Sequence, residues 1–141
     1  MNRLQTSSVV GGLLMGAWAA GLSPAWAATQ LECQVTYAGT TETIIAQPTD
    51  NPYTVAATDI AGRFRFKPVL VAQANQLRYV SIYVYQQTRH QPTLIQQAKY
   101  LPPYPLPGPT GHIALTGEQR LYAGTMEREL MYQCTLAEAK P

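Results

Sequence analysis

The chain has 141 residues and a formal net charge of +2, and only 13% of its residues are charged, about half the usual share for a soluble protein. Those figures exclude a multidomain enzyme, a nucleic-acid binder working by bulk charge, and a disordered acidic or basic tail. The composition is also uneven: Trp18, Trp26 and four of the ten glycines fall within residues 1–27, where Arg3 is the one charge.

That first segment has the parts of a secretory signal peptide. Arg3 precedes an uncharged apolar stretch from Val9 to Leu22, and Ser23-Pro24-Ala25-Trp26-Ala27 follows. Small residues at Ala25 and Ala27 suit the peptidase pocket, so cleavage is expected after Ala27. The apolar stretch falls short of the roughly 20 residues a membrane-spanning helix needs. Leu31-Glu32 ahead of Cys33 lacks the small residues of a lipobox. The expectation is an exported domain, residues 28–141, periplasmic or extracellular, with no membrane span after cleavage.

Export makes the two cysteines informative, because in an oxidising compartment two most simply pair. A Cys33–Cys134 disulfide is therefore expected, joining the first element of the domain to its last. Neither C-x-x-C nor a histidine at ligand spacing accompanies them, which argues against a redox or metal pair.

The dominant period along residues 28–141 is two, the signature of strands. Leu31, Cys33, Val35 and Tyr37 alternate with polar residues up to Gly39, and Thr41 to Ala46 forms a second run. A turn-rich patch, Pro48 to Pro52, precedes a run from Tyr53 to Ala57. In Arg63-Phe64-Arg65-Phe66-Lys67 the aromatics share one face and the cations the other; Pro68 then marks an edge strand or a bend before Val69-Leu70-Val71. Leu77 to Gln87 reads as the central strand, with Val80, Ile82 and Val84 on one face and Tyr79, Tyr83 and Tyr85 on the other. Thr93 to Tyr100 follows, then a proline-rich loop over 101–111. Short runs at His112 to Thr116 and Gln119 to Tyr122 lead to Glu129–Leu136, where Leu130, Tyr132, Cys134 and Leu136 share a face. No window carries a helical period. The expected fold is an all-β antiparallel sandwich of seven or eight strands in one domain, closed by one disulfide.

Tyr132-Gln133-Cys134 resembles the Y-x-C of immunoglobulin domains. The likeness implies a sandwich architecture rather than the family: residues 28–141 contain no tryptophan, and too few residues follow Cys134 for another strand.

Chemistry is sparse. Ser81, the one serine of residues 28–141, lies mid-strand, not at the sharp turn a nucleophile needs. Glu118, Glu127 and Glu129 are near one another in sequence, as an acid/base pair requires, but also as a solvated hairpin does. His90 and His112, with Met126 or Met131, are the candidates for a copper site. Arg63, Arg65 and Lys67 stand about 7 Å apart along one strand face, suited to an anionic polymer or to protecting an edge. The loop from Pro102 to Pro109 is stiff and would present Tyr104 and Leu106. Tyr79, Tyr83, Tyr85, Tyr104 and Leu106, with the three cations, make the candidate interaction surface. The functional expectation is a non-catalytic module without cofactor, binding a protein or envelope polymer and not nucleic acid. The alternatives are an inhibitor of a secreted hydrolase such as lysozyme and, more remotely, a copper-binding protein.

Overall fold

A computed structural model describes residues 29–138; the expected signal peptide lies outside the described residues. Among them are ten strands: β1 (Thr29–Tyr37), β2 (Thr40–Ala46), β3 (Pro48–Thr49), β4 (Thr58–Ile60), β5 (Phe64–Gln73), β6 (Gln76–Gln86), β7 (Thr93–Tyr100), β8 (Ile113–Ala114), β9 (Gln119–Ala123) and β10 (Arg128–Glu138). They form two five-stranded sheets. The first runs β2-β1-β10, with β8 and β9 both pairing the far side of β10; the second runs β3-β5-β6-β7, with β4 beside β3 along β5. All pairings are antiparallel except β3 with β5.

The period-two pattern is what folds the sheets together. Leu31, Cys33 and Val35 of β1 and Leu130, Tyr132, Cys134 and Leu136 of β10 turn inward. They pack on Phe64, Phe66 and Leu70 of β5 and on Val80, Ile82 and Val84 of β6, all essentially without exposure. Tyr132 stacks at a tilt on Phe66, ring centroids 5.1 Å apart, and Tyr37 meets Phe64 edge-on at 5.5 Å. The Cys33–Cys134 disulfide is present, between residues directly opposite in the β1–β10 ladder. It therefore ties neighbouring strands of one sheet, whereas the immunoglobulin bridge links two sheets.

Three expectations change. Tyr53 to Ala57 is not a strand: Pro52–Thr54 is a short 3-10 turn, its N-cap Asn51 accepting from the Tyr53 N–H at 3.1 Å. Pro68 neither bends the chain nor marks an edge, since β5 runs unbroken through it in the sheet interior. The reason lies in the ladder. Gln87 N–H donates to Arg63 O, so in this register Arg65, Lys67 and Val69 hydrogen-bond toward β6 and Pro68 opposite Ile82 does not. Its missing N–H faces the gap between β4, which ends its pairing at Phe66, and β3, which pairs at Leu70. The strand count exceeds expectation because β3 and β4, two and three residues long, are too short to show alternation; β8 falls within the expected run at His112 to Thr116.

Candidate functional site

The outer face of the second sheet gathers most of the residues singled out by pattern. Cross-strand register places Arg65 opposite Tyr85, Lys67 opposite Tyr83, Val69 opposite Ser81 and Val71 opposite Tyr79. On the other side of β6, Lys99 lies opposite Ser81 and Gln97 opposite Tyr83. Val69 and Ser81 are buried even though they face away from the core, forming a floor of small residues between taller neighbours. Over it the Lys99 ammonium sits 4.1 Å from the Tyr79 ring centroid and that of Lys67 5.9 Å from Tyr83, both within cation–π range. The three tyrosines are half-buried, neither hidden under the other sheet nor standing free.

Charge on this face is one-sided. Asp59, opposite Arg65, spends a carboxylate oxygen capping the Gly62 N–H at 2.9 Å. Neither Arg65, Lys67 nor Lys99 belongs to an ion pair among the described residues, although Arg65 Nε donates to Gln87 Oε1. A shallow depression of about 220 Å³ opens where Arg65, Lys67 and Tyr85 meet Val55, Ala57 and Pro92. Two cations over an apolar wall suit an anionic group carried on an apolar or saccharide frame.

Arg63 stands at the end of that row, opposite Gln87, whose N–H donates to Arg63 O. It sits in the turn before β5 and lines a separate cleft at the end of the sandwich, with Arg89 and Arg128. The protective reading of the three cations also changes its basis, because β5 is not an edge strand. Among the described residues the sheet edges are β2 and the β8/β9 row in the first sheet, and the β3/β4 row and β7 in the second.

The proline-rich loop closes the opposite end. Leu106 is presented, 90% exposed. Tyr104 is turned inward, packed against the core, its hydroxyl donating to Tyr100 O at 3.3 Å. Burial raises the pKa of both Tyr100 and Tyr104 above the ordinary phenol value. Loop prolines, Tyr104 and Leu106 line a mainly apolar groove of about 530 Å³ with Leu77 and Ile113. The loop and the tyrosine face approach each other near Tyr79, next to the Val80–Tyr100 pair where β7 passes into the loop.

Other candidates separate. His90 follows the end of β6, on the Arg63 side, and His112 adjoins Ile113 on the loop side, so the two histidines lie at opposite ends and share no site. Among the described residues no three His, Cys, Asp or Glu side chains group as a metal site would require. Glu118 and Glu129 are bridged by one guanidinium, Arg120, at 2.7 and 2.8 Å. Both carboxylates raise the Arg120 pKa, through hydrogen bonds first and charge second. Glu127 is in the β9–β10 turn.

Pattern alone missed Lys99, Arg89 and Arg128. Lys99 is visible only once β7 is paired with β6; Arg89 stands in the β6–β7 turn and Arg128 at the first residue of β10, where no period marks them. The chain matches no protein-family model, no curated protein and no solved structure.

Proposed function

We propose that the chain is an exported, non-catalytic binding module that recognises a protein or cell-envelope polymer through the outer face of the β3-β5-β6-β7 sheet. One observation carries this reading. Lys67, Lys99 and Arg65, with no carboxylate partner, stand among half-buried tyrosines over a small-residue floor. Tyrosine and arginine are favoured at binding surfaces because they combine area with directed polar atoms. The disulfide and the signal-like segment support export. The burial of Ser81 and the Arg120 clamp on Glu118 and Glu129 support a role without catalysis.

The test is affinity capture from the envelope fraction with the oxidised domain as bait, beside a Lys67→Ser/Tyr83→Ser/Lys99→Ser variant. The wild type should retain a partner that elutes with salt, and the variant should lose it. Equal retention by both would remove this face from the proposal.

The protruding Leu106 favours a second reading, an inhibitor of a secreted hydrolase such as lysozyme that inserts the loop. Residues 101–111 carry no charge to enter an active site. Absence of lysozyme inhibition at stoichiometric excess ends this alternative.

A further inference from the structure

The end of the sandwich opposite the proline-rich loop holds a cleft of about 390 Å³ that no sequence pattern points to. Three arginines line it from three distant parts of the chain: Arg63 in the turn before β5, Arg89 in the β6–β7 turn, and Arg128 at the start of β10. A guanidinium stays protonated throughout the pH range of a folded protein, so these charges are permanent. Among the described residues none of the three is in an ion pair, and no Asp or Glu lines the cleft. The ion pairs among the described residues both use Arg120, on the β9–β10 hairpin, with Glu118 and Glu129. The acids near these arginines in sequence are otherwise placed: Glu129, beside Arg128, is held by Arg120. Asp59 caps the turn that holds Arg63, and Glu127 lines the adjacent depression with Tyr122.

The remaining polar lining is neutral and includes Gln86, Gln87 and Thr125. Gln87 turns its acceptor oxygen to Arg65 Nε, outside the cleft. Gly124 is required beside Gln86: its φ is +81°, and a Cβ there would stand 3.0 Å from Gln86 Nε2. The wall is thus built tightly from the β9–β10 turn against the end of β6.

We propose that this cleft is a binding site for a tetrahedral oxyanion, a phosphate or sulfate group, either free or carried on a small saccharide. Three permanent cations in one cleft repel one another unless a counter-anion occupies it, and an anion of charge two or more offsets them best. A planar carboxylate is satisfied by one guanidinium fork, whereas a tetrahedral group offers oxygens to arginines arriving from three directions. This site is separate from the tyrosine face and does not depend on its role.

Calorimetric titration of the oxidised domain tests it, with inorganic phosphate, inorganic pyrophosphate, inorganic sulfate, glucose 1-phosphate and malonate as probes. Pyrophosphate or sulfate should bind with an affinity that falls as salt rises. Arg89→Gln and Arg128→Gln should each weaken binding by about tenfold, the worth of a charged hydrogen bond. Arg120→Gln, which lies elsewhere, should leave it unchanged. Tighter binding of glucose 1-phosphate than of free phosphate would assign a sugar-borne group, and the reverse a free anion. Malonate binding as tightly as pyrophosphate, equal binding by the Arg63→Gln/Arg89→Gln/Arg128→Gln variant, or no binding at millimolar probe would each overturn the assignment. Circular dichroism of every variant separates lost binding from lost folding.

Discussion

Tyr132 shows how a single side chain joins the two sheets. Its ring is buried on Phe66, and its hydroxyl donates to Gln96 Oε1 of β7 at 2.7 Å. Burial, and then the nearby Tyr100, push its pKa well above the ordinary phenol value. The fold therefore holds the neutral form. That stability is fully present below the unfolded phenol pKa of about 10 and is lost as pH climbs beyond it. Urea unfolding at successive pH values should show stability flat through neutrality and falling above pH 10. Tyr132→Phe should cost about 1 kcal/mol at neutral pH, since Gln96 loses its donor, and should make the alkaline fall shallower. The inward direction of Tyr132 was legible from its alternation with Gln133 and Met131. Its partner was not, because the register of β6 with β7 shifts between Val84 and Tyr85, opposite Gln96 and Leu94. Such a bulge leaves no trace in the alternation of β6 itself.

At the scale of elements, the long strands were legible, as were the runs that hold β8 and β9, whereas β3 and β4 were not. β1, β6 and β10 each bury one clear face, and β7 alternates between half-buried and exposed from Gln96 to Tyr100, which writes a period of two into the sequence. β3 and β4 exist because a long neighbour supplies a ladder, so their cause is tertiary. Pro68 misled for the same reason: what admits a proline in an interior strand is a gap between two short partners, and a gap has no local signature. The proline-rich loop was legible as a stiff segment, but the opposite orientations of Tyr104 and Leu106 depend on where the core lies. Those orientations make a prediction. Tyr104→Ser should lower stability by about 1–2 kcal/mol through lost apolar burial, while Leu106→Ser should stay within about 0.5 kcal/mol of wild type. Chemical denaturation of the two variants in parallel measures the contrast. Similar losses in both would mean that the loop does not pack as described.

For the molecule as a whole, the Cys33–Cys134 disulfide is the covalent cross-link among the described residues. It spans 101 positions, from the first strand to the last, and in the chain-entropy model a loop of that size is worth about 4–5 kcal/mol. The bridged residues are also ladder partners inside a continuous core, so β1 and β10 have reason to pair without it. A Cys33→Ala/Cys134→Ala variant should keep its far-ultraviolet circular dichroism and unfold at markedly lower urea. Loss of the β spectrum at zero denaturant would show that the ladder needs the bridge to form.

The same architecture gathers the candidate interaction residues on surfaces the core does not use. One sheet turns tyrosines and cations outward, and the two ends carry an apolar groove and an arginine cleft. The composition, low in charge and rich in tyrosine, was legible from the start. Its arrangement was not, since Lys67 and Lys99 come together only through β6 between them.

The most direct measurement is side-chain resonance mapping of the isotope-labelled oxidised domain as the captured partner is added. The account predicts shifts at the Tyr79, Tyr83 and Tyr85 rings and at the Lys67 and Lys99 ammonium groups. Shifts confined to the outer face of β1 and β2, with those five side chains unmoved, would contradict it.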